Sequence, residues 1–184
     1  MTKQEIINKL NKNHKDFAKM IKGLNSRDFM FSPDNKWTAG QHLDHIFRSV
    51  SPLIMAFTLP KFIIRLLFGK ANQPSISYDE LINKYLSKLE KGGTATGKYV
   101  PKAVKSALKE QLANHLLEVA AGLTKKIDKY TEEQLDEYVL PHPLLGKITI
   151  REMLFFTIHH AEQHHNTVLR NTEQKLVYQH TALG

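Results

Sequence analysis

The chain has 184 residues, none of them cysteine, and its 26 lysines and arginines outnumber 18 aspartates and glutamates to give a formal charge of +8. That length fits one domain around one core, and the missing thiols exclude a disulfide framework, a thiolate nucleophile and every cysteine-containing zinc site, so a transition metal needs His, Asp or Glu. The positive charge is dispersed rather than clustered with aromatics, which argues for a solvated surface and against specific nucleic-acid binding, although its field could still favour an anionic substrate.

The N-terminal stretch MTKQEIINKLNKNHK carries charge throughout and has no apolar signal core, so a cytoplasmic protein is expected. Thr2 followed by Glu5 is a capping-box pattern, and Ile6, Ile7, Leu10, Phe17, Ile21 and Leu24 form an apolar stripe. Together they predict a helix ending between Gly23 and Ser26. FSPDNK reads as a loop. Thr38 and Gln41 make a second capping box, opening a helix from Ala39 to near Leu59 that bends near Pro52 and buries Leu43, Ile46, Phe47 and Val50. PKFIIRLLFGK reads as a short extra helix; its apolar and basic mixture suits a membrane surface or the end of a bundle, and the bundle end is favoured. Pro52, Pro60, Lys61 and Arg65 interrupt the apolar stretch from Val50 to Phe68, so no transmembrane segment is expected.

GKANQPSIS is a predicted loop, and Tyr78 to Lys91 a predicted helix through Leu81, Ile82, Tyr85, Leu86 and Leu89. GGTATGKYVP is the most flexible-looking segment. Val104 to Lys129 reads as a long helix with Leu108, Leu112, Leu116, Val119 and Leu123 on one face. YTEEQLDEYVLPHPLLGK is a connection with one helical turn at Glu132 to Asp136, kept out of regular structure by Pro141, Pro143 and Gly146. Thr149 and Glu152 form a third capping box before a helix from Ile150 to near Arg170; the tail TEQKLVYQHTALG packs loosely or frays. No repeat and no strand run stand out. The sum is an all-α four-helix bundle with two longer crossings, a class that builds metal sites in its core.

Four of the ten histidines fall within IHHAEQHHN. His160 and His164, four residues apart, differ by about 40° in direction and about 6 Å in rise, so their rings can converge on one ion; a polar network at the edge of the core is the alternative. Ala161 follows His160, so the glutamate of an H-E-x-x-H motif is missing, and Glu162 projects away from the ligand edge. Leu154, Ile158, Ala161 and Val168 define the core stripe, with His165 near its centre as a hydrogen-bonded core histidine. His159 points toward Glu152 and Gln163 and is expected to be exposed. A third ligand is sought in WTAGQHLDHI, where His42 lies nearer the apolar stripe and His45 shares a face with Gln41, Ser49 and Ala56. Spacing alone leaves both open.

These segments together resemble the DinB/YfiT-like superfamily. Its motif Trp-Ser/Thr-x-x-Glu/Gln-x-Leu-x-His stands here as Trp37, Thr38, Gln41, Leu43 and His45, and its late His-x-x-x-His as His160 and His164 with the adjoining His165. PHPLLGKITIREMLFF is similar to the family's approach to the last helix. The resemblance implies one divalent transition metal per chain on His45, His160 and His164, with Gln41 and His165 as residues that orient the ligands. Gln41 replaces the commoner Glu, and Thr167 stands where many relatives have Gln, both changing the surroundings of the imidazoles. Three imidazoles with open positions are the pattern of a catalytic ion; nitrogen ligation suits Zn or Ni first, with Fe, Cu and Mn as further options. The reading is a hydrolase of a small-molecule substrate, with metal-bound water as nucleophile and no general base identified. Relatives imply a thiol-dependent S-transferase using a bacillithiol- or mycothiol-type thiol as the alternative; a non-catalytic, stress-related metal-binding bundle is the third reading. The resemblance also implies a homodimer.

Overall fold

The computed structural model describes residues 1–32, 34 and 36–181, with side chains as far as residue 175. Helix α1 (Lys3–Gly23) starts where the Thr2 hydroxyl accepts from the Glu5 N–H at 3.3 Å while Glu5 accepts from the Thr2 N–H at 2.7 Å. Two of the helix's unpaired donors are met in this way. Its buried face is Ile6, Leu10, Phe17 and Ile21, with His14 among them. α3 (Ala39–Ala56), α6 (Lys109–Ile127) and α8 (Ile150–Thr181) complete a four-membered ring. α1 packs on α6 and α8, and α3 packs on the same two, so the order around the ring is α1, α6, α3, α8. This order makes α3 and α8 neighbours, which the functional site requires. Thr38 and Gln41 cap α3 by the same reciprocal pair of bonds, and Thr149 and Glu152 exchange the equivalent two at the start of α8.

Several elements differ from expectation. After α1 the chain forms a short helix α2 (Ser26–Met30), capped by Asn25, that delivers the fully buried Phe29 to the core. Of the expected FSPDNK loop, Pro33 and Asn35 lie outside the described residues. Pro52 sits inside α3 without ending it; the helix stops at Ala56, and Pro60 opens α4 (Lys61–Phe68) at 111° to it. α4 rests on the bundle by one edge, burying Ile64, while Phe62, Leu66 and Leu67 stay exposed. No single helix among the described residues is long and apolar enough to cross a membrane.

α5 (Tyr78–Glu90) packs on α8 from outside the ring. α6 starts five residues later than the apolar stripe suggests, because Lys102 and Val104 are held against α3: the Lys102 N–H donates to Asp44 at 2.6 Å, and Val104 is buried beside Gly40. A 3₁₀ turn at Ser106–Leu108 then leads into the helix. After α7 (Glu132–Glu137) the expected irregular connection is an antiparallel hairpin, β1 (Val139–His142) with β2 (Gly146–Thr149), in the register Val139↔Thr149 to His142↔Gly146. Pro141 occupies an exposed position of this two-stranded ribbon, where a missing N–H is tolerated. Gly146, at φ +76°, closes the turn in the left-handed region. α8 runs past Arg170 to Thr181, and the nearly buried Lys175 pairs with Asp28 of α2. That contact ties the helix to α2 as far as Lys175, within the stretch that the sequence predicts to be a loose tail; residues 182–184 lie outside the described residues.

Candidate metal centre

The first two turns of α3 carry His42 and His45, and the middle of α8 carries His160 and His164. The Nε2 atoms of His45 and His164 each lie 3.1 Å from Nε2 of His160, and one nitrogen from each ring falls within 4.8 Å of the others. Two nitrogens bonded to one tetrahedral zinc-like ion at 2.0–2.1 Å stand roughly 3.3 Å apart, so the spacing suits a shared ion.

Hydrogen bonds behind the rings fix which nitrogen faces inward. His45 Nδ1 lies 2.7 Å from the Tyr99 carbonyl oxygen. A carbonyl only accepts, so Nδ1 carries the hydrogen and Nε2 of the neutral ring is a bare lone pair. His164 Nδ1 lies 2.6 Å from His42 Nδ1, which leaves the His164 Nε2 for the centre. The geometry thus separates the two early histidines: His45 enters the trio, and His42 stands behind it as a partner of His164. The donor set suits a cation, because converging imine nitrogens repel unless a proton or a metal lies between them.

All four rings are held neutral. Burial first, and then the nearness of His45, where a second positive charge would be repelled, bring His42 down to about 4. Burial lowers His45 too, against the opposing pull of the Tyr99 carbonyl. His160 and His164 fall well below the usual histidine value, through burial first and then through their neighbouring imidazoles. Neutral imidazole is the ligating form. Trp37 covers the group, with its ring centroid 5.0 Å from that of His45 and stacked at 6.1 Å on His164.

The trio opens on a cavity of about 350 Å³ walled by α1, α3, α5, α8, the hairpin and residues 93–99. Its wall includes His14, Tyr85, His142, Phe156, Thr157 and Gln163, and no lysine, arginine, aspartate or glutamate among the described residues. A formal charge of +8 therefore does not reach the cavity wall as a side chain. Burial raises the Tyr85 phenol to about 12, so it stays protonated.

Gln41 spends its side-chain oxygen on the Thr38 N–H at 3.0 Å and is not in the cavity wall. His165 is likewise outside that wall, half-buried on the side of Asp16 of α1, and makes no hydrogen bond to the clustered rings. His159 is half-buried rather than exposed: α5 covers this side of α8 and brings the Tyr85 ring to 6.1 Å. Tyr99, His14 and His142 escaped sequence reasoning. His14 did leave a trace, since it occupies the apolar stripe of α1 between Leu10 and Phe17. A backbone carbonyl such as that of Tyr99 leaves none.

The family model of the DinB superfamily matches residues 9–168. Among solved structures, YfiT from Bacillus subtilis, described as a probable metal-dependent hydrolase with an unusual four-helix bundle topology, superimposes with a TM-score of 0.62 at 19% identity, over 94% of this chain and 87% of that one. A conserved protein from Enterococcus faecalis superimposes with a TM-score of 0.57 at 16% identity, over 94% of this chain and 96% of its own. At these identities the likeness is one of fold. No curated protein sequence matches the chain.

Proposed function

The chain belongs to the DinB superfamily, and from that premise we propose that His45, His160 and His164 hold one divalent transition metal ion in a metal-dependent hydrolase of a small molecule, the whole chain acting as one domain. The observation that carries this reading is the convergence of three Nε2 atoms from neighbouring helices, two of whose rings are tied at the far nitrogen. When bound, such an ion supplies Lewis acidity toward a carbonyl and an activated water near neutral pH.

The chain's own residues orient and enclose. The Tyr99 carbonyl aims His45, His42 aims His164, and Trp37 keeps bulk water from the rings. The description of YfiT as a probable metal-dependent hydrolase agrees with this reading. In thiol transfer, the second reading, the same ion would hold the thiolate, while no lysine or arginine among the described residues lines the cavity to meet further negative charge on a thiol of the bacillithiol type.

Metal analysis and calorimetry test the site. Wild-type protein is expected to take up one equivalent of Zn²⁺ or Ni²⁺. His45→Ala, His160→Ala and His164→Ala are each expected to lose stoichiometric uptake, and His159→Ala to keep it. His42→Phe is expected to keep the stoichiometry with affinity lowered roughly 10- to 100-fold, as for other partners behind a ligand. Full affinity in His45→Ala with loss in His42→Ala would reverse the assignment of the early ligand. Labelled oxygen from water appearing in product identifies hydrolysis; a thiol adduct identifies transfer.

A further inference from the structure

α4 turns its more apolar side to solvent. Ile64 is buried and Phe68 packs partly against the core, but Phe62, Leu66 and Leu67 are 68%, 78% and 59% exposed. Phe62 and Leu66 stand one turn apart on the same side of the helix, with Leu67 and the half-buried Ile63 next to them. Ile64 and Phe68 anchor the helix to the bundle, so the outward side chains add little packing among the described residues. Contiguous exposed apolar surface of this kind marks an interaction site.

Cations border this side. Arg65 falls between Lys61 and Phe62 around the helix, is exposed, and makes no ion pair among the described residues. At the start of the helix Lys61 donates to the Lys129 carbonyl at 3.0 Å and to the Gln134 side-chain oxygen at 2.6 Å; at its end Lys147 donates to the Phe68 carbonyl at 2.8 Å. Those acceptors are uncharged, so none of the three positive charges is neutralised by its partner. Lys70 is paired with Glu137, and Asp128 with Lys3. The outer face of α3 leading to this corner is alike in kind: Phe47, Pro52 and Met55 line an open groove with Lys98 and with Arg48, the latter paired to Asp44.

We propose that α4 docks the protein on an anionic lipid bilayer, with Phe62, Leu66 and Leu67 entering the interface and Lys61, Arg65 and Lys147 meeting the headgroups. Apolar side chains gain by leaving water for acyl chains, and long basic side chains reach back to the phosphates. A second copy of the chain fits less well. An isologous contact would set two like-charged rims against each other, and a helix about 12 Å long offers far less than the about 800 Å² per partner that a stable complex uses.

The test mixes the full chain with sedimenting vesicles of phosphatidylcholine, with and without phosphatidylserine. Wild type is expected to pellet with the mixed vesicles and to stay largely free of phosphatidylcholine alone. Phe62→Ser combined with Leu66→Ser keeps the charge of the protein and should lower partition into mixed vesicles roughly tenfold or more. Arg65→Glu should reduce the preference for phosphatidylserine several-fold. Leu67→Trp serves as a reporter: its emission should shift to the blue and be quenched by lipids brominated on the acyl chain, which puts α4 itself in the bilayer. Wild type free of both vesicles, equal binding to both compositions, an unquenched reporter on bound protein, or equal binding by the double serine variant overturns the proposal, the last by leaving total charge as the cause. So does a wild-type dimer in solution that the double serine variant splits into monomers, which would assign this face to a second copy.

Discussion

At the scale of single residues, burial lowers the histidines that line the cavity and so favours their neutral form. His142 is pushed down to about 4 and His14 is lowered, both by burial. In the unfolded chain a histidine titrates near 6.5, so between about pH 6.5 and about pH 4 the unfolded state binds more protons than the folded one. Stability from these groups is therefore complete above about pH 6.5 and lost as pH falls through that window. Urea midpoints of the metal-free protein are expected to drop steadily across it. His142→Asn, which removes one of the depressed groups, should flatten the drop; an identical pH profile in that variant would contradict the assignment.

On the scale of elements, α3 works as a clamp. Along one side Asp44 accepts from Arg48 Nε at 2.5 Å and from the Lys102 N–H at 2.6 Å, while Arg48 also donates to the Lys98 carbonyl at 3.3 Å. Between them His45 holds the Tyr99 carbonyl. The Gly- and Thr-rich segment that looks flexible by composition is thereby pinned to the helix that bears a candidate ligand. Asp44→Ala is expected to lower metal affinity roughly tenfold, toward the smaller end for residues behind a ligand, and to speed hydrogen exchange over residues 97–102. Close packing of α3 gives a second outcome. A Cβ on Gly40 would stand 2.9 Å from two atoms of the buried Phe29 ring and 3.2 Å from Val104 Cβ. Overpacking of this sort costs about 1–3 kcal/mol and should exceed the gain in helix propensity of about 1 kcal/mol, so Gly40→Ala is expected to lower the melting temperature. Gly122→Ala meets only the tip of Ile54, at 2.6 Å. A rotamer change there relieves the contact, so the propensity gain should dominate and the variant should melt no lower than wild type.

For the molecule as a whole, a metal held between α3 and α8 would tie two helices far apart in the chain. A ligand at about 100 times its Kd stabilises by about 2.7 kcal/mol, which for a domain of this size is a rise in Tm of roughly 5–10 °C. Chelator treatment should reverse that rise in wild-type protein and have no effect on His160→Ala. Much of the bundle was legible along the chain because its signals are local. Capping boxes act over three residues, and the apolar stripes of α1, α3 and α8 repeat with the helical period. The same period puts His160 and His164 on one edge. What the chain order could not decide was contact between distant segments: His45 with His160 and His42 with His164 are 115 and 122 residues apart. The hairpin was missed because two prolines hide a ribbon that needs only four residues on each side. His159 was misplaced because its cover comes from α5, which a helical wheel of α8 does not contain. Periodicity is a property of neighbours along the backbone and so is written in the sequence; the choice of inward-facing nitrogen, the uncharged cavity and the meeting of α3 with α8 depend on which surfaces pack together, and only the folded chain determines that.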